Sequence, residues 1–150
     1  MRKKRSIFLI IPWLFACSPL VAQTVTGAWK TIDDRTGNPK GIVNIYEAEG
    51  RLYGYVKEIL EAGKENALCT ACNGSRKNKP IIGMRILDKL TRKGEHRWEG
   101  GKNSLFDPEQ GRYFRVKIWL DPERPNELKV RGYLLFIYRT QTWLRVTDSI

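Results

Sequence analysis

The chain has 150 residues, with 27 Lys and Arg against 16 Asp and Glu, so its formal net charge is +11. A chain of this length suits one domain. The basic residues are spread along it without an Arg-rich recognition helix or a stacked-aromatic signature, which argues against nucleic acid as a partner, and beyond the N-terminus no stretch approaches the roughly 18 apolar residues of a membrane-spanning helix.

Arg2, Lys3, Lys4 and Arg5 precede an apolar run over residues 7–16, and small or weakly polar residues then lead to Ala22 and Gln23. This is the pattern of a secretory signal peptide over residues 1–23, with an apolar run too short to cross a bilayer. Cleavage there leaves residues 24–150 as one domain and lowers the charge from +11 to +7, because the first 23 residues hold four basic and no acidic side chains. The expected location is outside the cytoplasm, in a periplasm or the exterior. Leu14-Phe15-Ala16-Cys17 also resembles a lipoprotein cleavage box, and the alternative is a protein anchored through a lipidated Cys17. A basic exported domain favours anionic envelope components or acidic ligands, although a charged, solvated face accounts for the same composition.

After the signal, short β segments are punctuated by Gly, Pro, Asn and Asp, with no long stretch of helical period. The first strand is expected over residues 27–32, followed by the turn cluster Asp33-Asp34-Arg35-Thr36-Gly37-Asn38-Pro39. Residues 41–47 and 51–60 form a hairpin through Ala48-Glu49-Gly50, whose glycine suits a position of positive φ. Residues 61–79 are irregular: an acidic shoulder that could start a helix, then Cys69-Thr70-Ala71-Cys72-Asn73-Gly74 and the basic tract Arg76-Lys77-Asn78-Lys79. A strand is expected over 81–87, and a short one over 97–101 closed by Gly100 and Gly101. Asp107-Pro108-Glu109-Gln110-Gly111 is a turn by residue type, since Asp accepts backbone hydrogen bonds, Pro presets φ and Gly supplies the left-handed exit. Strands over 112–120, 127–136 and 139–146 complete the chain.

Eight or nine sequentially adjacent strands with short turns describe an all-β, antiparallel up-and-down barrel, closed so that no edge is left exposed. A two-sheet sandwich is the structural alternative, with longer crossovers. A barrel of about eight strands either fills its interior with side chains or holds one small ligand.

Cys69 and Cys72 are the only cysteines beyond residue 23, and in an oxidising compartment such a pair is expected to close as a disulfide. Two other readings stay open. A redox role would place the pair at the start of a helix, whereas Asn73-Gly74 follows at once; a zinc site on Cys69, Cys72 and His96, the single histidine, would want a fourth ligand from Asp or Glu. No serine stands in a nucleophile-elbow context for His96. Asp33 with Asp34, and Asp107 with Glu109, sit where Asp serves turns better than paired-carboxylate chemistry. No phosphate-binding glycine loop is present, so no catalytic constellation and no cofactor is expected.

Mixed aromatic and basic rows recur: Tyr53 and Tyr55; Tyr113 with Arg115 and Lys117; Arg131 with Tyr133; and Gln141 with Trp143 and Arg145. Facing outward, they are the solvated side of a barrel whose interior is Leu52, Val56, Phe114, Val116, Ile118, Leu128, Val130 and Leu144. If some turn inward near a mouth, they supply polar anchors in an apolar wall. Tyr53, Tyr113, Arg131, Tyr133 and Trp143 are therefore candidate ligand or surface contacts.

Gly27-x-Trp29-Lys30-Thr31-Ile32-Asp33-Asp34, Gly41-Ile42-Val43, Gly50-x-Leu52-Tyr53-Gly54, Cys69-x-x-Cys72, Lys79-Pro80-Ile81-Ile82-Gly83, Trp98-x-Gly100-Gly101, Asp107-Pro108-x-x-Gly111-x-Tyr113, Leu128-x-Val130-Arg131-Gly132-Tyr133 and Thr142-Trp143-x-Arg145 together resemble the bacterial secreted family called domain of unknown function 2147. The resemblance spans nearly all of residues 24–150. It implies export and a lipocalin-type barrel of the calycin group, in which Trp29 opens the first strand and Arg145 on the last strand packs across the indole. The family brings no established activity. Ile137-Tyr138-Arg139-Thr140 departs from the smaller, glycine-containing approach to the last strand that the family leads one to expect. The expected function is a non-enzymatic barrel that takes a small apolar or amphipathic molecule, with an anionic head drawn by Arg and Lys near the mouth. The alternative is an envelope interaction protein with a filled barrel and a basic face for acidic polymer or a protein partner.

Overall fold

The computed structural model describes residues 24–147; the expected signal and Cys17 lie outside the described residues. Eight strands follow in chain order: β1 Gly27–Ile32, β2 Pro39–Ala48, β3 Arg51–Ile59, β4 Arg85–Arg92, β5 Arg97–Asp107, β6 Arg112–Asp121, β7 Arg124–Leu134 and β8 Ile137–Arg145. Each pairs antiparallel with its successor, and β8 returns to β1 through Trp29↔Arg145 and Lys30↔Leu144, so the sheet closes into a barrel. Closure gives every strand two neighbours and removes the free edge that an open sheet exposes.

Period-2 alternation fills the interior. Gly41, Val43 and Ile45 of β2 point inward, as do Val116, Ile118 and Leu120 of β6 and Leu128 and Val130 of β7. All of these but Gly41 join Trp29, Leu52, Leu87, Leu90, Trp98 and Trp143 in one apolar cluster. Full burial of an aliphatic side chain of this size contributes about 1.5–3 kcal/mol. The tightest packing lies beside the turns at residues 49–50, 93–96 and 122–123, where Ile45, Leu52, Leu90, Ile118, Leu120 and Leu128 are at most 2% exposed. We call this the closed end. The turns at 33–38, 108–111 and 135–136 and the long connection 60–84 lie at the other end.

Several boundaries differ from expectation for identifiable reasons. β4 begins at Arg85 rather than residue 81, because residues 81–84 form a turn in which Gly83 donates to the Val56 carbonyl at 2.7 Å and Met84 accepts from the Val56 N–H at 3.0 Å. β4 then runs on to Arg92, past the expected end, and places Leu90 fully in the core. β5 is not closed by its glycines; it continues through them to Asp107. A Cβ on Gly100 would stand 2.2 Å from the Ser104 Cβ, beside a register shift between Gly100 and Leu105, so this glycine bends the strand instead of ending it. The acidic shoulder forms turns, and the only helix among the described residues is the 3-10 turn Gly74–Arg76.

The last strand corrects an inward assignment. Leu144 is 41% exposed and Trp143 only 3%. Trp143 pairs with the buried Leu128 and Leu144 with Glu127; cross-strand partners share a face, so Trp143 points inward. Phe114 is half-buried rather than a core residue.

Candidate ligand cavity

The closed end is built on Trp29. Its indole is fully buried, and its Nε1 donates to the Val25 carbonyl at 2.8 Å. The Arg145 guanidinium lies over the ring, 4.2 Å from the centroid, and its Nη2 donates to the Thr24 carbonyl at 2.6 Å and the Pro125 carbonyl at 3.4 Å. Burial lowers the Arg145 pKa from its ordinary value, and the indole face and carbonyls supply what water no longer does. The pair ties the N-terminal segment, β1, β8 and the start of β7 together.

The opposite half of the barrel is open. A cavity of about 690 Å³ runs from the mouth to a floor that includes Val43, Val56, Ile86, Leu105 and Trp143. Its volume falls within the roughly 300–1,000 Å³ of small-molecule sites. Trp143 is a polar handle as well as floor: its Nε1 donates to the Gln141 Oε1 at 3.3 Å, and the Gln141 Nε2 donates onward to Asp34 at 3.3 Å. A chain of hydrogen bonds thus climbs from floor to rim.

The rim carries both signs of charge, largely self-paired. Lys40 on β2 meets Glu109 of the 108–111 turn at 2.7 Å, linking two sides of the mouth. Arg139 donates to Asp34 at 2.7 Å, Lys64 to Glu61 at 2.9 Å, and Arg35 to Asp33 at 3.4 Å. The backbone N–H of Arg35, followed by its guanidinium, holds the Asp33 carboxyl below its ordinary value, which fixes the first turn. Each rim cation therefore already faces a carboxylate, so the rim attracts anions less than its count of Arg and Lys suggests.

Connection 60–84 forms one wall of the mouth. Its Leu68 makes a bridge with Pro80, and Cys69 N–H donates to the Lys79 carbonyl at 2.8 Å while Asn78 N–H donates to the Cys69 carbonyl at 3.0 Å. Cys69 and Cys72 are joined as a disulfide with Cα atoms 5.3 Å apart, both buried with Met84, Phe106 and Ile81 in a second apolar cluster. Gly111 touches this loop: a Cβ there would lie 2.0 Å from the Ala71 carbonyl oxygen. The sequence marks Gly111 as a turn residue; its second duty, as the seat of the disulfide loop, shows only in three dimensions. His96 lies in the β4–β5 turn at the closed end, away from the disulfide. Among the described residues no group of three or more His, Cys, Asp or Glu is placed to hold a metal ion.

Of the candidate contacts, only Trp143 lines the cavity. Tyr53 stacks on Tyr46 at 5.5 Å beneath Arg85, and Tyr113 packs on Phe106 at 4.7 Å. Arg131 and Tyr133 lie on the outer face with Trp119 and Lys117. Ile86 and Leu105 were not singled out by sequence reasoning; Val43 stood only in a family motif, and Gln141 only in a mixed row, without being named among the candidate contacts. Val43 and Gln141 fall on alternations visible in the chain, but the phase that faces the mouth is set by barrel closure.

A closed eight-stranded antiparallel barrel, plugged at one end by a tryptophan under an arginine and open at the other, is the architecture of a lipocalin-like protein. The model for the family described as "Uncharacterized protein conserved in bacteria (DUF2147)" matches residues 27–145, and the chain belongs to this family. It is similar in structure to protein HP1028 from the human pathogen Helicobacter pylori, described as belonging to the lipocalin family: the TM-score is 0.71 at 19% identity, covering 83% of this chain and 84% of that one. At that identity the likeness shows the fold alone. No curated protein matches the sequence significantly.

Proposed function

We propose that the protein is an exported, non-enzymatic binder of a small amphipathic molecule, held apolar end down in the open half of the barrel. The observation that carries this is the cavity of about 690 Å³ with an aliphatic and indole floor beneath a polar rim. Because the rim cations are paired with carboxylates, a ligand head that exchanges hydrogen bonds with Gln141 and Asp34 suits the site better than one recognised by charge alone. The non-enzymatic reading is supported by the engagement of Asp33, Glu61 and Glu109 in ion pairs and by the distance of His96 from the cavity. Export is supported by the charged and apolar pattern of residues 1–23 and by the Cys69–Cys72 disulfide, which suits an oxidising compartment; residues 24–150 are then the released domain.

Native mass spectrometry of protein isolated from its own host is expected to show a co-purifying small molecule. Long-chain alcohols and fatty acids offered to the delipidated protein are expected to perturb Trp143 fluorescence. Val56→Phe, which fills the cavity from its floor, should weaken that binding while the fold is retained by circular dichroism. Absence of any bound species together with no response to amphiphiles would remove the proposal. The alternative of a filled scaffold is disfavoured by the open half of the barrel.

A further inference from the structure

The exposed apolar surface is concentrated at one end of the molecule. Of the nine large hydrophobic side chains exposed among the described residues, all but Leu144 lie at the mouth end, and five are consecutive: Leu134, Leu135, Phe136, Ile137 and Tyr138. They form the tip of the β7–β8 hairpin, where Leu134 pairs with Ile137 across a two-residue turn. Leu135 and Phe136 are 85% and 88% exposed. Leu135 also adopts φ +56°, a left-handed conformation for which two-residue hairpin turns prefer Asn or Gly. Neither packing nor turn chemistry explains leucine and phenylalanine here, and strained, exposed positions of this kind point to function.

The surface behind the tip is layered. The first row across β6, β7 and β8 is Arg115, Tyr133 and Tyr138, and the next is Lys117, Arg131 and Thr140. Rows that face the same way are separated by two residues, about 7 Å along a strand. Arg115 lies over Tyr133 at 5.2 Å, and Arg131 lies between Trp119 at 5.2 Å and Tyr138 at 4.5 Å. Arg131 Nε donates to the Thr140 hydroxyl at 2.7 Å. Residues 112–117, 131–134 and 137–140 contain Arg112, Arg115, Lys117, Arg131 and Arg139 and no acidic residue. The carboxylates that reach this set are Glu99, at 3.3 Å from Lys117, and Asp34, on Arg139.

We propose that this hairpin is a membrane-docking tip: Leu135, Phe136 and their neighbours enter the acyl boundary of an anionic bilayer, Tyr133 and Tyr138 lie at the headgroup level, and Arg115, Lys117 and Arg131 meet lipid phosphates. The order apolar, aromatic, basic over a span of this size matches the profile of a bilayer surface, where interfacial elements bury about 5–10 Å. A soluble acidic polymer would satisfy the cations and leave the apolar tip in water; an anionic lipid surface satisfies both. The cavity mouth lies at the same end, so docking would bring it to the membrane. The inference stands on the hairpin and is independent of what fills the cavity.

The test is flotation of the full chain with vesicles of phosphatidylglycerol or of phosphatidylcholine. The control Leu135→Asn/Phe136→Gly keeps every other apolar segment and installs residues suited to the turn, so it should fold at least as well. Wild type is expected to prefer phosphatidylglycerol by about ten-fold or more and to lose binding in about 1 M salt, where the screening length falls to about 3 Å. The hairpin variant should bind about ten-fold more weakly at unchanged thermal midpoint, and Arg115→Gln/Arg131→Gln should erase the preference for anionic lipid. Equal binding by wild type and hairpin variant, or equal binding to both vesicles, overturns the proposal. So does a hairpin-dependent dimer in sedimentation analysis without vesicle binding, which would assign the tip to a second copy.

Discussion

Truncating Trp29 to alanine tests whether the closed end is a structural keystone. The indole is fully buried, so the change removes its transfer free energy and leaves a void, together costing about 3–5 kcal/mol. It also strips the Val25 carbonyl of its 2.8 Å donor and removes the ring beneath Arg145, a contact that contributes about 1 kcal/mol when partly desolvated. These contributions overlap because the groups are in contact, so the total is expected to stay near 3–5 kcal/mol rather than sum. For a domain of this size that is a drop of about 10–20 °C in melting temperature. Trp29→Phe, which keeps a ring but loses the N–H, should cost about 1–3 kcal/mol, and a double cycle with Arg145→Met should return a coupling near 1 kcal/mol. Urea unfolding followed by far-ultraviolet circular dichroism gives these values from the midpoint at constant slope. A loss below about 1 kcal/mol for Trp29→Ala would refute the reasoning, because a residue that merely touched a ligand would behave that way.

Gly111→Ala should be destabilising by about 2 kcal/mol or more, since it combines φ +62° with an impossible approach to the Ala71 carbonyl; a thermal melt within error of wild type would count against that packing. The Cys69–Cys72 disulfide closes only a short loop, so its reduction should cost about 2 kcal/mol by loop entropy, and because both sulfurs are buried reduction should be slow at neutral pH in native conditions, as thiol titration would show. Asp33 has a carboxyl pKa lowered by folding, as does Glu127 beside Lys129. A lowered folded pKa contributes stability above the unfolded value that is lost as pH falls through the folded one. Stability should therefore fall below about pH 4, and Asp33→Asn should flatten part of that fall in acid-unfolding curves. Lys40→Ala should speed ligand exchange at the mouth while changing stability by less than about 1 kcal/mol, as a partly exposed ion pair allows; stopped-flow quenching and a melt separate the two.

The alternation of Val116, Ile118 and Leu120, and of Leu128 and Val130, was legible in the chain, as were the turns at residues 48–50 and 107–111, because period and turn chemistry are local properties. The expectation that Arg145 packs across Trp29 came through a family resemblance rather than through spacing. Tertiary structure alone decided the phase of β8, since alternating residues satisfy either face until pairing with Leu128 turns Trp143 inward and Leu144 outward. It decided that Gly100 bends β5 rather than ending it, because the obstacle is Ser104 across the bulge. It decided the cavity too: whether a barrel is filled depends on how side chains from eight strands meet across its axis, and here they meet beside Trp29 but not at the mouth. The departure at Ile137-Tyr138-Arg139-Thr140 was visible as a break in pattern, yet only closure of the hairpin turned it into an apolar tip standing on basic rows.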